Sequence, residues 1–306
     1  MKKITVLLLV TVLLLSFAAC GGQTTGSETK PAGDTDSPVA SQEETKHTSE
    51  ESGREITFTE LVAVDNAECG ITVTGIDPDD IWGYTVNILL ENRSAEKTYM
   101  FAVDSAAING VVCDPFFAAE VSAGKKANET VTFSTDTLAE NGIEEYTDIE
   151  LTLRVHDNDD WSADPVALET VHIYPYGEEK AEKFVRQAQE NDNVIVDNEF
   201  VTAIVTGYGE DDMWGYTAYL FLCNKTDKNV MFSADNSSVN GFMIDPFYAT
   251  TVPAGKCAFS SVSWSDDDLE KNGITEVETI EFEFRAFDKD DWTADDYIKE
   301  IITLHP

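Results

Sequence analysis

Residues 82–90 read Trp82-Gly83-Tyr84-Thr85-Val86-Asn87-Ile88-Leu89-Leu90, and every second side chain from the tryptophan onward is large and apolar. Successive side chains of a β-strand point to opposite faces, so a period of two is typical of a strand with one face in a core. The pattern therefore predicts a strand whose inward face starts at Trp82 and continues through Tyr84.

The same stretch occurs again 132 residues later as Trp214-Gly215-Tyr216-Thr217-Ala218-Tyr219-Leu220-Phe221-Leu222. After a one-residue gap near Lys97 the offset becomes 131, and further landmarks follow in one order. They are Asn109-Gly110 with Asn240-Gly241, Asp114-Pro115-Phe116 with Asp245-Pro246-Phe247, Ala123-Gly124-Lys125 with Ala254-Gly255-Lys256, and Asn141-Gly142-Ile143 with Asn272-Gly273-Ile274. The chain therefore contains two copies of one domain.

Further short strands are predicted in the first copy at 56–65, 70–76, 98–103, 130–133, 149–155 and 166–174. Many short strands separated by turn residues favour an all-β fold, with two tandem β-sandwiches. The order of elements, with Asn92 or Asn224 at a strand end, Ala-Gly-Lys before the next strand and a late Ile-Glu-Leu strand, resembles the immunoglobulin-like domains of Gram-positive surface lipoproteins. That resemblance implies a fold and a location, and no activity.

The first 19 residues form a predicted signal peptide, with Lys2 and Lys3 followed by an apolar run that is too short to span a bilayer. Ser16-Phe17-Ala18-Ala19-Cys20-Gly21 resembles the lipobox of bacterial lipoproteins, which implies that Cys20 receives a lipid and becomes the mature N-terminus. Phe17 stands where that pattern usually has leucine, so plain signal-peptide cleavage stays open. The expected location is the cell membrane, lipid-anchored and facing outward.

Residues 20–54 are rich in Gly, Ser, Thr, Glu and Lys, with almost no large apolar side chains, and are predicted to be a disordered tether. The two sandwiches are placed at 55–177 and 192–306. Between them, residues 178–191 carry Ala181, Phe184, Val185 and Ala188 at helical spacing without Gly or Pro, which predicts a connecting helix.

The chain has 20 basic and 58 acidic residues, a formal charge of −38. Such a surface repels phosphate groups, so nucleic acid is excluded as a partner. Besides Cys20, two cysteines occur in each repeat: Cys69 and Cys113, then Cys223 and Cys257. No cysteine occupies the same position in both copies, so their disulfide state stays open.

Two acidic motifs with a tryptophan occur in both repeats. The first has Asp79-Asp80 before Trp82 and Asp211-Asp212 before Trp214. Because each tryptophan is in register with core residues, we interpret it as a buried strand tryptophan, as in immunoglobulin folds, and the acids as turn residues.

The second motif follows a late strand in each repeat and places several carboxylates in one loop. Its acids are Asp157, Asp159, Asp160 and Asp164 around Trp161, and Asp288, Asp290, Asp291 and Asp295 around Trp292. Calcium binds such oxygen-rich loops, so Ca²⁺ is the one cofactor the sequence suggests. The alternative is a solvated acidic turn with a packed tryptophan.

A third hypothesis joins the two motifs. A tryptophan exposed beside carboxylates offers a stacking surface and hydroxyl acceptors, which are the elements of a sugar-binding patch. Trp161, Trp292 and the acid pairs at 79–80 and 211–212 are the candidate ligand surface.

The sequence offers no sign of an enzyme, because its histidines have neither triad nor metal spacing and no phosphate loop or nucleophile motif occurs. The expected function is a non-catalytic envelope protein that binds or displays a ligand outside the cell. The alternatives are a structural spacer or accessory subunit that binds a protein, and a carbohydrate-binding surface module.

Overall fold

The computed structural model describes residues 54–211 and 213–306, without the side chains of Asp136 and Thr137. The predicted signal peptide, Cys20, most of the tether and Asp212 lie outside the described residues. Within them, the all-β prediction is confirmed: antiparallel strands account for most of the structure, and the only α-helices described are two elements of six residues each.

The first repeat contains two sheets. The first sheet has the order β1-β2-β3-β7, and its strands are β1 (Leu61–Asp65), β2 (Cys69–Asp80), β3 (Gly83–Asn92) and β7 (Lys126–Phe133). The second sheet is built on β4 (Tyr99–Ile108), β8 (Ile149–Asp157) and β9 (Ala167–Ile173). Along the free side of β4 run two short strands, β5 (Val111–Cys113) and β6 (Ala118–Val121). Helix α1 (Thr135–Glu140) follows β7.

The second repeat has the same plan. Its strands are β10 (Asn193–Asp197), β11 (Val201–Asp211), β12 (Gly215–Asn224), β13 (Val230–Val239), β14 (Phe242–Met243), β15 (Tyr248–Val252), β16 (Cys257–Trp264), β17 (Ile280–Asp288) and β18 (Ile298–Leu304), with α2 (Asp266–Lys271) after β16. Strands β10, β11, β12 and β16 form one sheet, and β13, β14, β15, β17 and β18 form the other.

Alternation along β3 and β12 places apolar side chains between the two sheets, as the sequence predicts. Tyr84, Val86, Ile88 and Leu90 are buried in the first repeat and face a cluster that includes Leu151 of β8. Burying an aliphatic or aromatic side chain of this size contributes roughly 1.5–3 kcal/mol, so these strands supply much of the driving force for folding.

The segment between the repeats is not the predicted helix. It makes one 3₁₀ turn at Glu178–Lys180, and no regular secondary structure follows as far as residue 189. Its backbone bonds to the first repeat instead of to itself: the Glu182 amide donates to Thr147 Oγ1 (3.0 Å) and the Phe184 amide donates to the Asn109 carbonyl (2.8 Å). Tertiary hydrogen bonds thus replace the helical ones that the spacing of apolar residues suggested.

Phe184 packs where the two repeats meet. Its ring centroid lies 6.4 Å from that of Phe221 and 6.0 Å from that of Phe259, both in the second repeat. Arg186 lies over the Phe221 ring and forms a bidentate pair with Asp192, with both N–O distances 2.7 Å. The linker is therefore packed against both sandwiches.

A strand pairing also joins the repeats. Strand β16 of the second repeat runs parallel to β5 of the first, with Cys257 opposite Val111, so that a single sheet runs through both domains. The Cys257 amide donates to the Gly110 carbonyl (3.0 Å), and Lys256 Nζ lies 2.7 Å from Glu150 Oε2. We call this contact the seam.

The structure resolves the disulfide state that the sequence left open. Cys223 and Cys257 are bonded across β12 and β16, whereas Cys69 and Cys113 are free thiols. Glu91 and Lys126 occupy the same cross-strand positions in the first repeat and form an ion pair there. One fold position thus carries a covalent link in one copy and an ionic link in the other.

Candidate functional site

The hairpin turn between β2 and β3 presents Trp82 to solvent. The Trp82 amide donates to Asp80 Oδ1 (2.9 Å), which closes a tight turn before the strand begins at Gly83. Gly83 has a φ of 117°, and a Cβ there would collide with the Phe133 carbonyl, so only glycine fits. The chain changes direction at this glycine, and the alternation of β3 starts at Tyr84.

The prediction that Trp82 and Trp214 belong to the core is therefore wrong. Trp82 is 78% exposed and Trp214 is 64% exposed. In the second repeat Asp211 Oδ1 accepts from the Trp214 amide (2.9 Å), and Gly215, with a φ of 86°, takes the place of Gly83. The alternation of a strand does not continue through a glycine with positive φ. The period of two therefore predicts the side chains from Tyr84 and Tyr216 onward, and it does not apply to the tryptophans before the glycines.

A break in the edge strand presents a second aromatic side chain. Strands β5 and β6 both pair with β4, and Asp114-Pro115-Phe116 interrupts them, because proline has no amide hydrogen for the ladder. Phe116 is 95% exposed, and its counterpart Phe247 is 97% exposed. Neither phenylalanine was predicted to be a site residue, although the repeated Asp-Pro-Phe block is a sequence signal for this position.

Trp82 and Phe116 line one groove with a volume of about 670 Å³. Three carboxylates belong to the same groove, those of Asp79, Asp80 and Asp114. Thr132, Ser134 and Thr135 also line it, and no lysine or arginine is among the described residues that do. The groove thus offers aromatic surfaces together with hydrogen-bond acceptors, and none of its described residues would attract an anion.

The second acidic motif is held by local bonds. Asp157 lies 2.9 Å from Lys97 Nζ and accepts a hydrogen bond from the Asp159 amide (3.1 Å). Both contacts lower the Asp157 pKa, and the lysine has the larger effect. Asp160 accepts from Ser162 through its hydroxyl (2.6 Å) and its amide (3.1 Å), which lowers the Asp160 pKa.

The second repeat reproduces this arrangement. Asp288 is buried, lies 2.6 Å from Lys228 Nζ and accepts from the Asp290 amide, and its pKa is lowered mainly by the lysine. Asp291 accepts from Thr293. Lys97 and Lys228 match at the offset of 131, which is the sequence signal that could have identified them as the partners of these acids.

These contacts give no support to the calcium hypothesis. Among residues 54–211 and 213–306, no three acidic, histidine or cysteine side chains converge closely enough to hold a metal ion. Asp164 and Asp295 are exposed at the far end of their loops. The acids instead accept hydrogen bonds within tight turns, and Asp157 and Asp288 each pair with a lysine. This is closer to the acidic turn that the sequence left as the alternative, although Asp288 is buried and not solvated.

Trp161 and Trp292 pack one face on the sandwich and leave the other in water. They are 69% and 72% exposed. Trp161 lies on the His156 ring, with 3.9 Å between ring centroids, and Trp292 lies on Phe287 at 5.1 Å. These two tryptophans do not line the groove that contains Trp82 and Phe116.

His156 is a buried imidazole of the first repeat. The His156 side chain is only 7% exposed, and neither ring nitrogen has a hydrogen-bond partner among the described residues. Burial lowers the His156 pKa, and nearby Arg154 lowers it further against the opposing effect of Asp157. The folded protein therefore keeps this imidazole neutral at pH values where the unfolded chain is already protonated.

The free energy of unfolding should consequently fall as the pH drops below about 6.5, the pKa of histidine in the unfolded chain. It should continue to fall until the pH reaches the lower pKa of His156 in the folded protein. His156→Phe copies the Phe287 of the second repeat and should remove this dependence. At neutral pH it should add about 1–2 kcal/mol to the free energy of unfolding, because two unpaired nitrogens disappear.

Urea unfolding at a series of pH values measures both effects. Phe287→His is the matched control, and it should create the same acid sensitivity in the second repeat. Equal pH dependence in wild type and His156→Phe would contradict the assignment.

Comparison with protein-family models gives no match, and comparison with curated proteins gives no relative. The candidate site therefore rests on the geometry of this chain alone. In the described residues, no helix is both long and apolar enough to cross a membrane.

Proposed function

We propose that this protein is a non-catalytic, lipid-anchored component of a bacterial cell envelope whose two sandwiches bind carbohydrate outside the cell. The observation that carries the proposal is the groove in which the exposed rings of Trp82 and Phe116 stand beside Asp79, Asp80 and Asp114. Trp214 and Phe247 are exposed at the equivalent positions of the second repeat, which supports one binding surface on each sandwich.

Carbohydrate suits this groove because a sugar ring has two kinds of surface. Its C–H face packs on aromatic rings, and its hydroxyl groups donate hydrogen bonds to carboxylates. Sites for small ligands commonly combine an apolar wall with a few polar groups in this way. The chain's charge of −38 disfavours anionic polymers, so the glycan of the proposal is neutral or cationic.

The anchor of this proposal comes from the sequence. The stretch that ends at Cys20 resembles a lipobox, and a lipid on that residue would hold the sandwiches at the outer face of the membrane. Two acyl chains hold a protein on a bilayer where one does not. A tether between lipid and sandwich would leave the groove of the first repeat and the exposed rings of the second accessible to polymers of the cell wall.

The proposal is tested by binding to a panel of neutral and amino-sugar oligosaccharides. Trp82→Ala should weaken binding by the first repeat roughly tenfold, since buried aromatic contacts carry much of the energy of such interfaces. Trp214→Ala should do the same in the second repeat, and the double variant should bind least. Isothermal titration calorimetry of the full chain gives the affinities.

Trp161→Ala is the matched control, because Trp161 is about as exposed as Trp82 and lies outside the groove. It should leave carbohydrate affinity unchanged. The proposal fails if no glycan binds, or if Trp161→Ala and Trp82→Ala weaken binding equally.

A spacer or accessory subunit is the second candidate, and the seam favours it. Strand pairing, the Lys256–Glu150 ion pair and the Phe184 contacts join the repeats without a free linker, which suits a rigid element that holds a partner away from the membrane. A spacer would retain its function in the Trp82→Ala/Trp214→Ala variant, whereas a carbohydrate-binding protein would lose it.

A further inference from the structure

The seam uses a different surface from each repeat. The first repeat contributes β5, an edge of its second sheet, and the second repeat contributes β16, an edge of its first sheet. A contact between two unlike surfaces of the same fold is heterologous, so each repeat retains one surface that the seam does not use. The unused surfaces are β14 of the second repeat and β7 of the first.

Strand register establishes these equivalences. Val111 pairs with Ile108 in the first repeat, and Phe242 pairs with Val239 in the second. Therefore β14 is the counterpart of β5. On the other side, Lys126 of β7 occupies the position of Cys257 of β16. Both β7 and β14 are terminal strands of their sheets in the described structure.

Exposure shows that the β14 edge lacks its cover. In the first repeat, Val111 is buried and Val112 packs against the core of the second repeat. The corresponding residues Phe242 and Met243 are exposed, the latter by 72%. The same edge is thus covered where a β16 strand lies on it and bare where none does, and two large apolar side chains stand on the bare edge.

Charge supports the same match. In the seam, Lys256 pairs with Glu150 at 2.7 Å. The equivalent residues of the unused surfaces are Lys125, before β7, and Glu281, in β17. Both are exposed, and neither has an ion-pair partner within the described part of the chain.

We propose that a second copy of this chain docks its β7 edge on the β14 edge, head to tail, in the way that β16 docks on β5. Lys125 of one copy then pairs with Glu281 of the next, and the Lys126 amide donates to the Gly241 carbonyl. Phe242 and Met243 are covered in this contact. Because every copy again presents one free edge of each kind, the assembly is open and adds copies stepwise.

The contact between copies should be weaker than the seam. Phe221 and Phe259 of the seam correspond to Leu89 and Asn128 on the β7 side, so the aromatic cluster around Phe184 is not reproduced. Each copy also carries a charge of −38, and this repulsion falls as salt screens it. Association should therefore increase with protein concentration and with salt.

Sedimentation velocity of the full chain tests the proposal, with Cys20→Ser in every sample so that no lipid-driven association interferes. Wild type should form dimers and then larger species as its concentration rises. Lys125→Glu and Glu281→Lys should each weaken association roughly tenfold, because attraction across one exposed contact becomes repulsion. The double variant Lys125→Glu/Glu281→Lys, which has the net charge of wild type, should restore it.

Lys289→Glu is the matched control, since it changes the net charge as Lys125→Glu does at an exposed loop away from both edges. It should associate like wild type. A second measurement uses Lys126→Cys/Phe242→Cys, in which strand-paired positions are close enough for a disulfide between copies. Oxidation should give a ladder of dimers, trimers and longer species. A protein that stays monomeric, stops at dimers, or associates equally well in Lys125→Glu and Lys289→Glu would overturn the proposal.

Discussion

Asn224→Ala should lower the free energy of unfolding by about 3–5 kcal/mol, because one buried side chain satisfies several backbone groups. Asn224 Nδ2 donates to the carbonyls of Lys228 (2.7 Å) and Val252 (2.8 Å), and its Oδ1 accepts from the Thr226 amide (2.9 Å). The residue is buried at the end of β12. Alanine would leave these groups without this partner, and the bond to the Val252 carbonyl is fully buried.

Asn224→Asp separates the hydrogen bonds from side-chain volume. Aspartate keeps the shape and the acceptor for the Thr226 amide, but its carboxylate faces carbonyl oxygens where the amide donated. It should therefore be at least as destabilising as alanine at neutral pH and less so in acid, where the carboxyl becomes protonated. Asn128→Ala, at an exposed position of β7, should change stability by less than about 0.5 kcal/mol.

Urea denaturation followed by circular dichroism provides the measurement. Asn92 makes the same contacts in the first repeat, with the carbonyls of Lys97 (2.8 Å) and Val121 (2.7 Å), so Asn92→Ala should have a similar cost. A loss below about 1 kcal/mol for either alanine variant would show that the loop rearranges to satisfy the carbonyls by other means.

Alternation and repetition were sufficient to predict the strands, the sandwiches and their duplication. Both signals depend on local backbone geometry and side-chain polarity, which the sequence states directly. The errors occurred where tertiary contacts decide. Phe184 has helical spacing with its apolar neighbours, yet its amide bonds to Asn109 and its ring packs between the repeats, which no local pattern reveals.

In the candidate site, too, local sequence patterns predict part of the arrangement and tertiary structure decides the rest. The sequence marks Trp82 and its acids as a repeated motif, but alternation alone predicts a buried tryptophan because it does not reveal the positive φ of Gly83. Phe116 was noted as part of a landmark and not as a site residue, since its exposure arises from a break in an edge strand that only the sheet topology shows. Lipidation of Cys20 and an outward location stay predictions.

Trp264→Ala should destabilise the second sandwich by about 3–5 kcal/mol, the range for removing a large buried aromatic side chain. Trp264 is fully buried in β16, and its Nε1 donates to Ser237 Oγ (2.9 Å), which is also buried. The equivalent pair in the first repeat is Phe133 and Ala106, both buried. The second repeat thus has an indole hydrogen-bonded to a serine hydroxyl where the first repeat has a phenyl ring and an alanine.

This natural exchange gives a double-mutant cycle. Trp264→Phe alone leaves the Ser237 hydroxyl unpaired and a gap beside it, whereas Trp264→Phe/Ser237→Ala reproduces the first repeat and removes the unpaired group. The double variant should recover about 1–2 kcal/mol relative to Trp264→Phe, and the coupling energy should exceed 0.5 kcal/mol. Additive effects of the two substitutions would contradict a bond between these side chains.

Fluorescence makes the cycle easy to follow, because Trp264 is buried while the other four of the five tryptophans are exposed. Trp264→Phe should remove the blue-shifted part of the emission and leave the red-shifted part.

The Trp264 carbonyl also faces Gly215, the glycine that turns Trp214 outward, so the core of β16 supports the turn that presents the exposed ring. Loss of the indole should therefore loosen that turn, and Trp214 should become more accessible to a collisional quencher in Trp264→Ala than in Trp264→Phe.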